Sequence, residues 1–289
     1  MCPHSSHPAG PKPPEPFVER RHAPVGPTAL SVDMHIHTNF SDAPKCTLDA
    51  ITERCRETGV GIAVCDHNEI RGAMGLIERG EVLCVPALEV GSREKLEFLA
   101  YFEDPAKLER FYSREVEPYK RARFFTKLDR SFTHLIPAAK ESGALVCLPH
   151  PFGPSYKNVN HGRERKAALF DPHMFRHVDL IEVINGHMRD HRNFKAYMLS
   201  EVFEKNVTAG SDAHLPKDIG TIYLRFDRAM DRKGVYDLLH FPIKVGMTTT
   251  YRFSNFARTA AGVIPKHLQL FISKKRQREW VMKYDGGGT

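Results

Sequence analysis

The sequence has no long apolar run, no paired cysteines and no internal repeat. Every apolar stretch is shorter than the roughly 18 residues that predict a transmembrane helix. The N-terminus also lacks the apolar core of a signal peptide. None of the six cysteines forms a CxxC pair, and Cys65, Cys84 and Cys147 lie in apolar runs, where a thiol packs as a small hydrophobic group. These absences predict a cytoplasmic protein with no membrane partner.

The remaining composition is that of a globular protein with an excess of positive charge. The 289 residues are 41% hydrophobic, which suits one large domain or two small ones. The formal net charge is +7. Such an excess favours an anionic partner, either a phosphorylated small molecule or a nucleic acid, although many basic proteins bind neither.

Three regions of the chain differ in composition. Eight of the first thirty residues are proline, which prevents a continuous helix or sheet ladder, so residues 1–29 are predicted to form a disordered tail. Residues 30–250 alternate apolar runs with helix-like segments, as in an α/β domain with a parallel sheet. A long helical region is expected within them, from about Pro105 to Ser142. Residues 251–289 include “PKHLQLFISKKRQREWVMKY” and are predicted to form a basic helical tail.

At least seven strand-like runs in the central region favour a β/α barrel over an open sheet. In such barrels the chemistry lies at the C-terminal ends of the strands. The first strand ends in “VDMHIHTNFSD”, where His35 and His37 project to the same face because side chains alternate along a strand. Further candidate ligands follow the later strands: Asp66 and His67 in “CDHN”, Glu89 in “ALEV”, His150 in “LPHP”, Glu182 and Asn185 in “IEVING”, and Asp212 and His214 in “GSDAH”.

This set of residues mixes imidazoles with carboxylates. Five of the sixteen histidines stand at these strand ends. Mixed ligands of this kind suit manganese, zinc or iron better than magnesium or calcium, which prefer oxygen ligands. A carboxylate such as Glu89 has two oxygens and can bridge two ions, and paired ions about 3.5–4 Å apart stabilise both the attacking and the leaving oxygen in phosphoryl displacement.

The motifs “DMHIHTNFSD”, “CDHN”, “ALEV”, “LPHP”, “IEVING” and “GSDAH”, in this order, resemble the PHP (polymerase and histidinol phosphatase) family. The resemblance covers about Ser31 to Gly246. It implies a distorted seven-stranded β/α barrel, similar to a TIM barrel, with two or three divalent metal ions that hydrolyse phosphoesters. It further implies that one ion is held by His35, His37, Glu89 and Asp212, a second by His67 and His214 with Asp42, and a third by Glu89 and His150.

One position departs from the family pattern. Family members often carry a histidine in a fourth-strand segment resembling “HILGY”, whereas this chain has “EFLAY”, with Glu97 at the matching position. A carboxylate still coordinates metal, so Glu97 remains a candidate ligand. The alternatives are a binuclear site or a weaker third ion.

Several neighbouring residues have competing interpretations. Asp33 and Asp66 are expected to orient nearby imidazoles, and Glu182 and Asn185 to hydrogen-bond to ligands inside the barrel. Asp42 is alternatively a helix cap, and His150, between two prolines, is alternatively part of a turn. The loop after “IEVING” carries residues that suit phosphate binding but that are more often solvated, and they are left out of the predicted site: His187, Arg189 and His191.

These observations support one leading function and two alternatives. The leading function is a metal-dependent phosphoesterase acting on a mono- or diester of a nucleotide, an oligonucleotide or a phosphorylated metabolite, with Asp212 and His214 as its catalytic residues. The first alternative is C–N bond hydrolysis of the amidohydrolase type. That class often has a bridging carboxylated lysine in the fourth strand, and Lys95 is the only lysine near that strand. The second is a non-catalytic metal-binding scaffold. The basic and aromatic stretch from Tyr119 to Arg130 has the composition of a nucleic-acid surface or of an amphipathic helix.

Overall fold

The computed structural model describes residues 18–19, 29–121, 126–153, 175–241 and 244–247. Most of the predicted tail at 1–29 and all of the predicted tail at 251–289 lie outside these residues. Within the first region, Val18–Glu19 form a two-residue strand that pairs in parallel with Lys244–Met247. Among the described residues, no helix combines the length and the apolar character needed to cross a membrane.

Strands and helices alternate along the described chain. The strands are β1 (Val18–Glu19), β2 (Leu30–Ile36), β3 (Val60–Val64), β4 (Cys84–Val85), β5 (Ala87–Gly91), β6 (Glu97–Phe102), β7 (Ala144–Leu148), β8 (Leu180–Asn185), β9 (Asn206–Gly210), β10 (Ile222–Phe226) and β11 (Lys244–Met247). The α-helices are α1 (Leu48–Thr58), α2 (Arg71–Arg79), α3 (Pro105–Phe111), α4 (Phe132–Glu141), α5 (Asp190–Val202) and α6 (Arg232–Leu238).

The strands are hydrogen-bonded as two sheets, in the orders β1-β11-β10-β2-β3-β4 and β5-β6-β7-β8-β9. All residues of β3, β5, β6, β7 and β8 are buried, as expected for strands covered on both faces. The predicted mixed α/β class is confirmed. The described strands do not form one closed ring, so the seven-stranded barrel stays a prediction.

Backbone hydrogen bonds join the two sheets at two places. At one, the amide of Asp212 donates to the carbonyl of His35 over 2.7 Å, and the amide of His37 donates to that of Ala213 over 3.0 Å. At the other, the amide of Asn68 donates to the carbonyl of Glu89 over 2.8 Å. Both junctions lie at the C-terminal ends of parallel strands, so the candidate ligands of both sheets meet there.

Two strands run against the expected parallel pattern. β6 pairs antiparallel with β5 and β7, and β10 pairs antiparallel with β2 and β11. The cause at β6 is the short connection from Gly91 to Glu97, which permits a hairpin but not the long crossover of a parallel pair. Gly91 and Glu97 are register partners. The start of β6 therefore lies at the same edge as the end of β5.

The helical region expected from about Pro105 to Ser142 is interrupted in the described residues. α3 ends at Phe111, and a π-helical turn (Tyr112–Val116) and a 3₁₀ turn (Glu117–Tyr119) follow. Pro118 lies in the first turn of this 3₁₀ segment, where its missing N–H is tolerated. Lys120 then forms an antiparallel bridge with Leu128 before α4 begins.

A buried carboxylate fastens the first junction between the sheets. Asp33 on β2 accepts hydrogen bonds from the backbone amide of Ser211 (2.9 Å), its hydroxyl (2.5 Å) and the amide of Gly220 (2.9 Å). Burial raises the pKa of the Asp33 carboxyl to about 7, although the hydrogen bonds from Ser211 and Gly220 lower it. Asp33 therefore connects β2 to the chain on both sides of Asp212.

We expect Asp33→Ala to destabilise the fold. The substitution leaves four donors without their acceptor, the amides of His35, Ser211 and Gly220 and the hydroxyl of Ser211, and each such loss costs about 1–3 kcal/mol. Urea unfolding monitored by circular dichroism should show a free energy of unfolding lower by about 3 kcal/mol or more. Asp33→Asn, which keeps one acceptor oxygen, should lose less. An Asp33→Ala protein as stable as the wild type would contradict this role.

Candidate metal centre

All of the predicted site residues lie among the described residues and at the edge where the two sheets meet. All are buried except His150, whose side chain is 12% exposed. The sequence interval between them is bridged by the fold: His37 and Asp212 are 175 positions apart yet in direct contact. The candidate ligands at the strand ends therefore lie close together in the structure.

One group of possible ligand atoms comes from β2 and from the residues after β9. The Nε2 atoms of His35 and His37 are 3.2 Å apart, and Nε2 of His37 lies 3.0 Å from Oδ1 of Asp212. Ligand atoms about 2.1 Å from a common ion lie about 3.0–3.4 Å from one another. The three side chains thus have the spacing of ligands to one ion, and Oε2 of Glu89 lies 3.7 Å from His37 Nε2.

A second group lies around Asp42. Oδ2 of Asp42 is 3.4 Å from Nε2 of His67 and 3.3 Å from Nε2 of His214. Nδ1 of His37 lies 3.7 Å from the other oxygen of Asp42. The helix-cap alternative for Asp42 is excluded because Thr47 caps α1. The residues that the resemblance assigns to a second ion are therefore brought together.

Glu89 lies between these groups and a third one. Its Oε2 is 2.9 Å from Nδ1 of His67, and its Oε1 is 3.3 Å from Nε2 of His150. Oε1 of Glu97 lies 3.6 Å from Nδ1 of His67. The reversal of β6 brings Glu97 to the centre from the start of its strand. His67, Glu89 and Glu97 have the geometry of a group that could hold an ion.

The donor chemistry fits divalent metal ions. Two Nε2 atoms that face each other, as in His35 and His37, cannot both carry protons at 3.2 Å. Nδ1 of His37 is buried and has no hydrogen-bond partner in the part of the chain that the structure describes. Buried carboxylates and imidazoles are unfavourable unless they are paired or coordinate metal. Both features are accounted for when cations occupy the space between these atoms.

The electrostatics of the centre keep its carboxylates ionised. Burial raises the pKa of the Asp212 carboxyl, but His35 and His187 hold it well below its usual range. The Asp42 carboxyl is affected in the same way. Burial raises its pKa, but His214 and His67 hold that pKa well below its usual value. An ionised carboxylate is the form that binds metal.

Glu182 and Asn185 form hydrogen bonds to several candidate ligands. Oε1 of Glu182 lies 2.9 Å from Nδ1 of His35, which directs Nε2 of that ring into the centre. The other Glu182 oxygen accepts from the amide of His150 and from Nδ2 of Asn185, at 2.7 and 2.9 Å. Nδ2 of Asn185 is also 3.3 Å from Oδ2 of Asp212. This network extends over three of the candidate ligands.

The expectation that Asp33 and Asp66 orient imidazoles is wrong. Asp33 bonds to Ser211 and Gly220, as described above. Asp66 accepts from the amide and hydroxyl of Thr38, at 2.7 and 2.5 Å, and from the hydroxyl of Ser41. Both carboxylates fasten the loops that carry ligands. Asp33 lies two residues below His35, about 6.6 Å along the strand, so its carboxylate is too deep to reach the ring.

His187 was left out of the predicted set, but the structure places it at the centre. Its Nδ1 is 3.3 Å from Oδ2 of Asp212, and its ring centroid is 5.5 Å from that of His214. The signal in the sequence is Gly186: a Cβ there would lie 2.1 Å from the carbonyl oxygen of Ser211, so only glycine allows this close approach. Arg189 and His191 remain exposed.

A family model described as PHP-associated matches residues 190–240, which contain α5, β9, Asp212 and His214, and the resemblance to the PHP family is confirmed.

Among known proteins, the chain is similar to an uncharacterized protein from Methanocaldococcus jannaschii, with 27% identity over 208 residues, 68% of this chain and 70% of the relative. Among solved structures, it is similar to the lesion-specific endonuclease PfuEndoQ from Pyrococcus furiosus, with a TM-score of 0.61 and 17% identity over 84% of this chain and 71% of that one. It is also similar to Endonuclease Q in complex with a 27-mer duplex substrate with an abasic lesion, with a TM-score of 0.58 and 17% identity over 84% of this chain and 72% of that one. At this identity the structural likeness shows a shared fold.

We expect Glu182→Ala to weaken metal binding about 10- to 100-fold, because His35 loses the partner that directs its Nε2. The measurement is titration of the chelator-treated protein with Mn²⁺, followed by calorimetry. Glu201→Ala removes an exposed carboxylate of α5 and serves as the matched control. Equal affinities in the two variants would show that Glu182 has no part in holding the ligand.

Proposed function

We propose that this protein is a metal-dependent phosphoesterase with a centre of two or three divalent ions, manganese, zinc or iron. The observation that carries the proposal is the meeting of imidazole and carboxylate ligands from both sheets around Glu89. We further propose that the sheets form the distorted seven-stranded barrel of the resemblance, within a unit spanning 30–250. The backbone bonds at both junctions support this closure.

The residues divide into ligand groups with separate tasks. His35, His37 and Asp212, with Glu89, would hold one ion, and Asp42, His67 and His214 a second. Glu89, His150 and Glu97 are the candidates for a third. When bound, such ions supply charge neutralisation for phosphoryl oxygens and a water of lowered pKa. From this ligand set we propose both the number of ions, two or three, and their identity, manganese, zinc or iron.

His214 is oriented by the backbone of a neighbouring ligand. Its Nδ1 lies 2.8 Å from the carbonyl oxygen of Asp212 and donates to it, so Nε2 is directed at Asp42. Asp212 itself is held at a φ of 53° by its bond to His35. We propose that Asp212 and His214 position the reacting phosphoryl group, with Asp212 as a ligand and His214 as a ligand or a donor to the leaving oxygen.

His187 is the most exposed imidazole next to the proposed ligands. Its side chain is 17% exposed, against 12% for His150 and 9% for His214, so it is the most accessible imidazole of the centre. We propose that it hydrogen-bonds to a phosphoryl oxygen or to the leaving group. The amide of His187 donates to Oδ1 of Asn185 over 2.8 Å, which fixes the loop for this role.

Two alternative functions have less support. An amidohydrolase with a bridging carboxylated lysine would use Lys95, but this residue is exposed in the turn between β5 and β6, with a φ of 67°. A non-catalytic scaffold would not require the complete and mutually oriented ligand set seen here. A phosphomonoester and a phosphodiester both suit the centre, and the nucleic-acid substrate bound to Endonuclease Q favours a diester.

We expect Asp212→Ala to abolish hydrolysis of p-nitrophenyl phosphate and bis-p-nitrophenyl phosphate assayed with Mn²⁺. The loss of activity should exceed the roughly 10- to 100-fold loss that follows removal of a supporting residue. The reason is that Asp212 is a proposed ligand of the ion that His35 and His37 would also hold. Circular dichroism should show an intact fold. Asp49→Ala, on an exposed part of α1, is the matched control. Full activity of Asp212→Ala with unchanged metal content would refute the proposed centre.

We expect His187→Ala to lower kcat/KM for the preferred p-nitrophenyl ester by about 10- to 100-fold, the usual consequence of losing a hydrogen bond to a charged group. Metal content should stay at the wild-type level, since His187 lies outside the three proposed ligand groups. His191→Ala, in the same region but exposed, is the control. Loss of bound metal in His187→Ala would instead assign the residue to the ligand set.

A further inference from the structure

One buried asparagine is connected to candidate ligands on three different segments of the chain. Asn68 follows His67 in the segment after β3, and it is fully buried. We propose that Asn68 is a positioning residue whose side chain fixes the spacing of His67, Glu89 and Glu97, called here the Glu97 group, so that this group holds an ion. The inference rests on the proposed function, because it concerns the metal centre of that function.

The backbone of Asn68 belongs to the second junction between the sheets. His67 and Glu89 form a parallel bridge. In this bridge the amide of Glu89 donates to the carbonyl of Asp66 over 3.2 Å, and the amide of Asn68 donates to the carbonyl of Glu89 over 2.8 Å. A parallel ladder would continue with the amide of Gly91 donating to the carbonyl of Asn68. The chain instead turns at Asn68, whose φ is 50°.

The side chain of Asn68 takes the place of that carbonyl. Its Oδ1 accepts from the amide of Gly91 over 2.9 Å. Gly91 is the register partner of Glu97 in the antiparallel pair of β5 and β6. The hydrogen bond therefore extends the ladder by one residue and fixes the residue with which Glu97 pairs. Asn68 thus adjoins His67 in the chain, bonds to the backbone of Glu89 and acts on Glu97 through Gly91.

Few residue types can perform both tasks at this position. A positive φ strains most residues, whereas glycine, asparagine and aspartate tolerate it. Glycine has no side-chain acceptor. Asparagine and aspartate have a short side chain whose oxygen can replace a backbone carbonyl in a turn. The turn and the acceptor can therefore be separated experimentally, because glycine keeps the first and removes the second.

The spacing within the Glu97 group is sensitive to the position of β6. Nδ1 of His67 lies 2.9 Å from Oε2 of Glu89 and 3.6 Å from Oε1 of Glu97. Atoms that bind one ion lie about 3.0–3.4 Å from one another. Glu97 is already slightly beyond this range, so a further shift of the start of β6 would remove it from the group. The bond from Gly91 to Asn68 opposes such a shift.

The test is Mn²⁺ binding to the full chain, measured by atomic absorption after dialysis of chelator-treated protein against a series of free Mn²⁺ concentrations. In Asn68→Gly, one class of sites should bind about 10- to 100-fold more weakly, as is usual when a residue that supports a ligand is removed. The class of sites that Asp212→Ala removes should keep its wild-type affinity, because His35, His37 and Asp212 meet at the other junction.

Two further variants separate positioning from a general loss of stability. Glu97→Gln should weaken the same class of sites, and in Asn68→Gly/Glu97→Gln the two losses should not add, because both act on one group. Asn68→Asp keeps an acceptor oxygen and tolerates the positive φ. Its affinity for this class of sites should exceed that of Asn68→Gly by about 10-fold or more.

Glu204→Gly is the matched control. Glu204 also has a positive φ, of 51°, but it is exposed and precedes β9, whereas Asp212 follows the other end of that strand. The substitution introduces glycine at the same backbone conformation without removing a bond of the Glu97 group. Mn²⁺ binding should equal that of the wild type, and circular dichroism should show all variants folded.

Three results would overturn the inference: wild-type Mn²⁺ binding in Asn68→Gly, an equal weakening of every class of sites, or additive losses in the double variant. Hydrolysis of bis-p-nitrophenyl phosphate by the wild type reports separately on the proposed function. Wild-type hydrolysis with unchanged Mn²⁺ binding in Asn68→Gly would refute the role of Asn68 and leave the phosphoesterase intact. Selective weakening in Asn68→Gly without wild-type hydrolysis would refute the phosphoesterase and support the role of Asn68.

Discussion

The centre depends on one backbone junction, where the end of β2 pairs with the residues that follow β9. The bonds from Asp212 to His35 and from His37 to Ala213 bring together candidate ligands that lie far apart in the sequence. The approach is so close that a Cβ at Gly210 would lie 2.4 Å from the Cβ of His35. Glycine at this position is therefore a requirement of the site as much as of the strand.

Many ionisable groups are buried around this junction, and the buried carboxylates have two different kinds of partner. Some carboxylates face the imidazoles, as Asp42 and Glu89 do. Others, Asp33 and Asp66, accept only from backbone amides and hydroxyls, and so hold the ligand-bearing loops. This division explains how the region remains ordered with little solvent, because these four buried carboxylates have donors of their own.

Much of the site could be predicted from the sequence, because histidine and carboxylate residues at strand ends follow a simple rule of same-face spacing and shared edges. That rule predicted that His35, His37 and Asp212 lie close together, and in the structure they do. It was silent on His187, whose position depends on how closely Gly186 approaches Ser211. It also could not foresee that β6 is reversed, which is why Glu97 reaches the centre from a strand start. The pattern of the helical region from about Pro105 to Ser142 likewise did not reveal the change from α-helix to π-helical and 3₁₀ turns after Phe111.

The division of ligands between two sheets has a mechanical consequence. His35 and His37 belong to one sheet and Glu89 to the other, so any ion held between them acts as a cross-link across the junction. A ligand that binds only the folded state adds about 2.7 kcal/mol of stability at one hundred times its dissociation constant. The thermal stability of this fold would then depend on the concentration of free metal. As that concentration falls towards the dissociation constant, the free energy of unfolding would decrease before the site lost most of its metal.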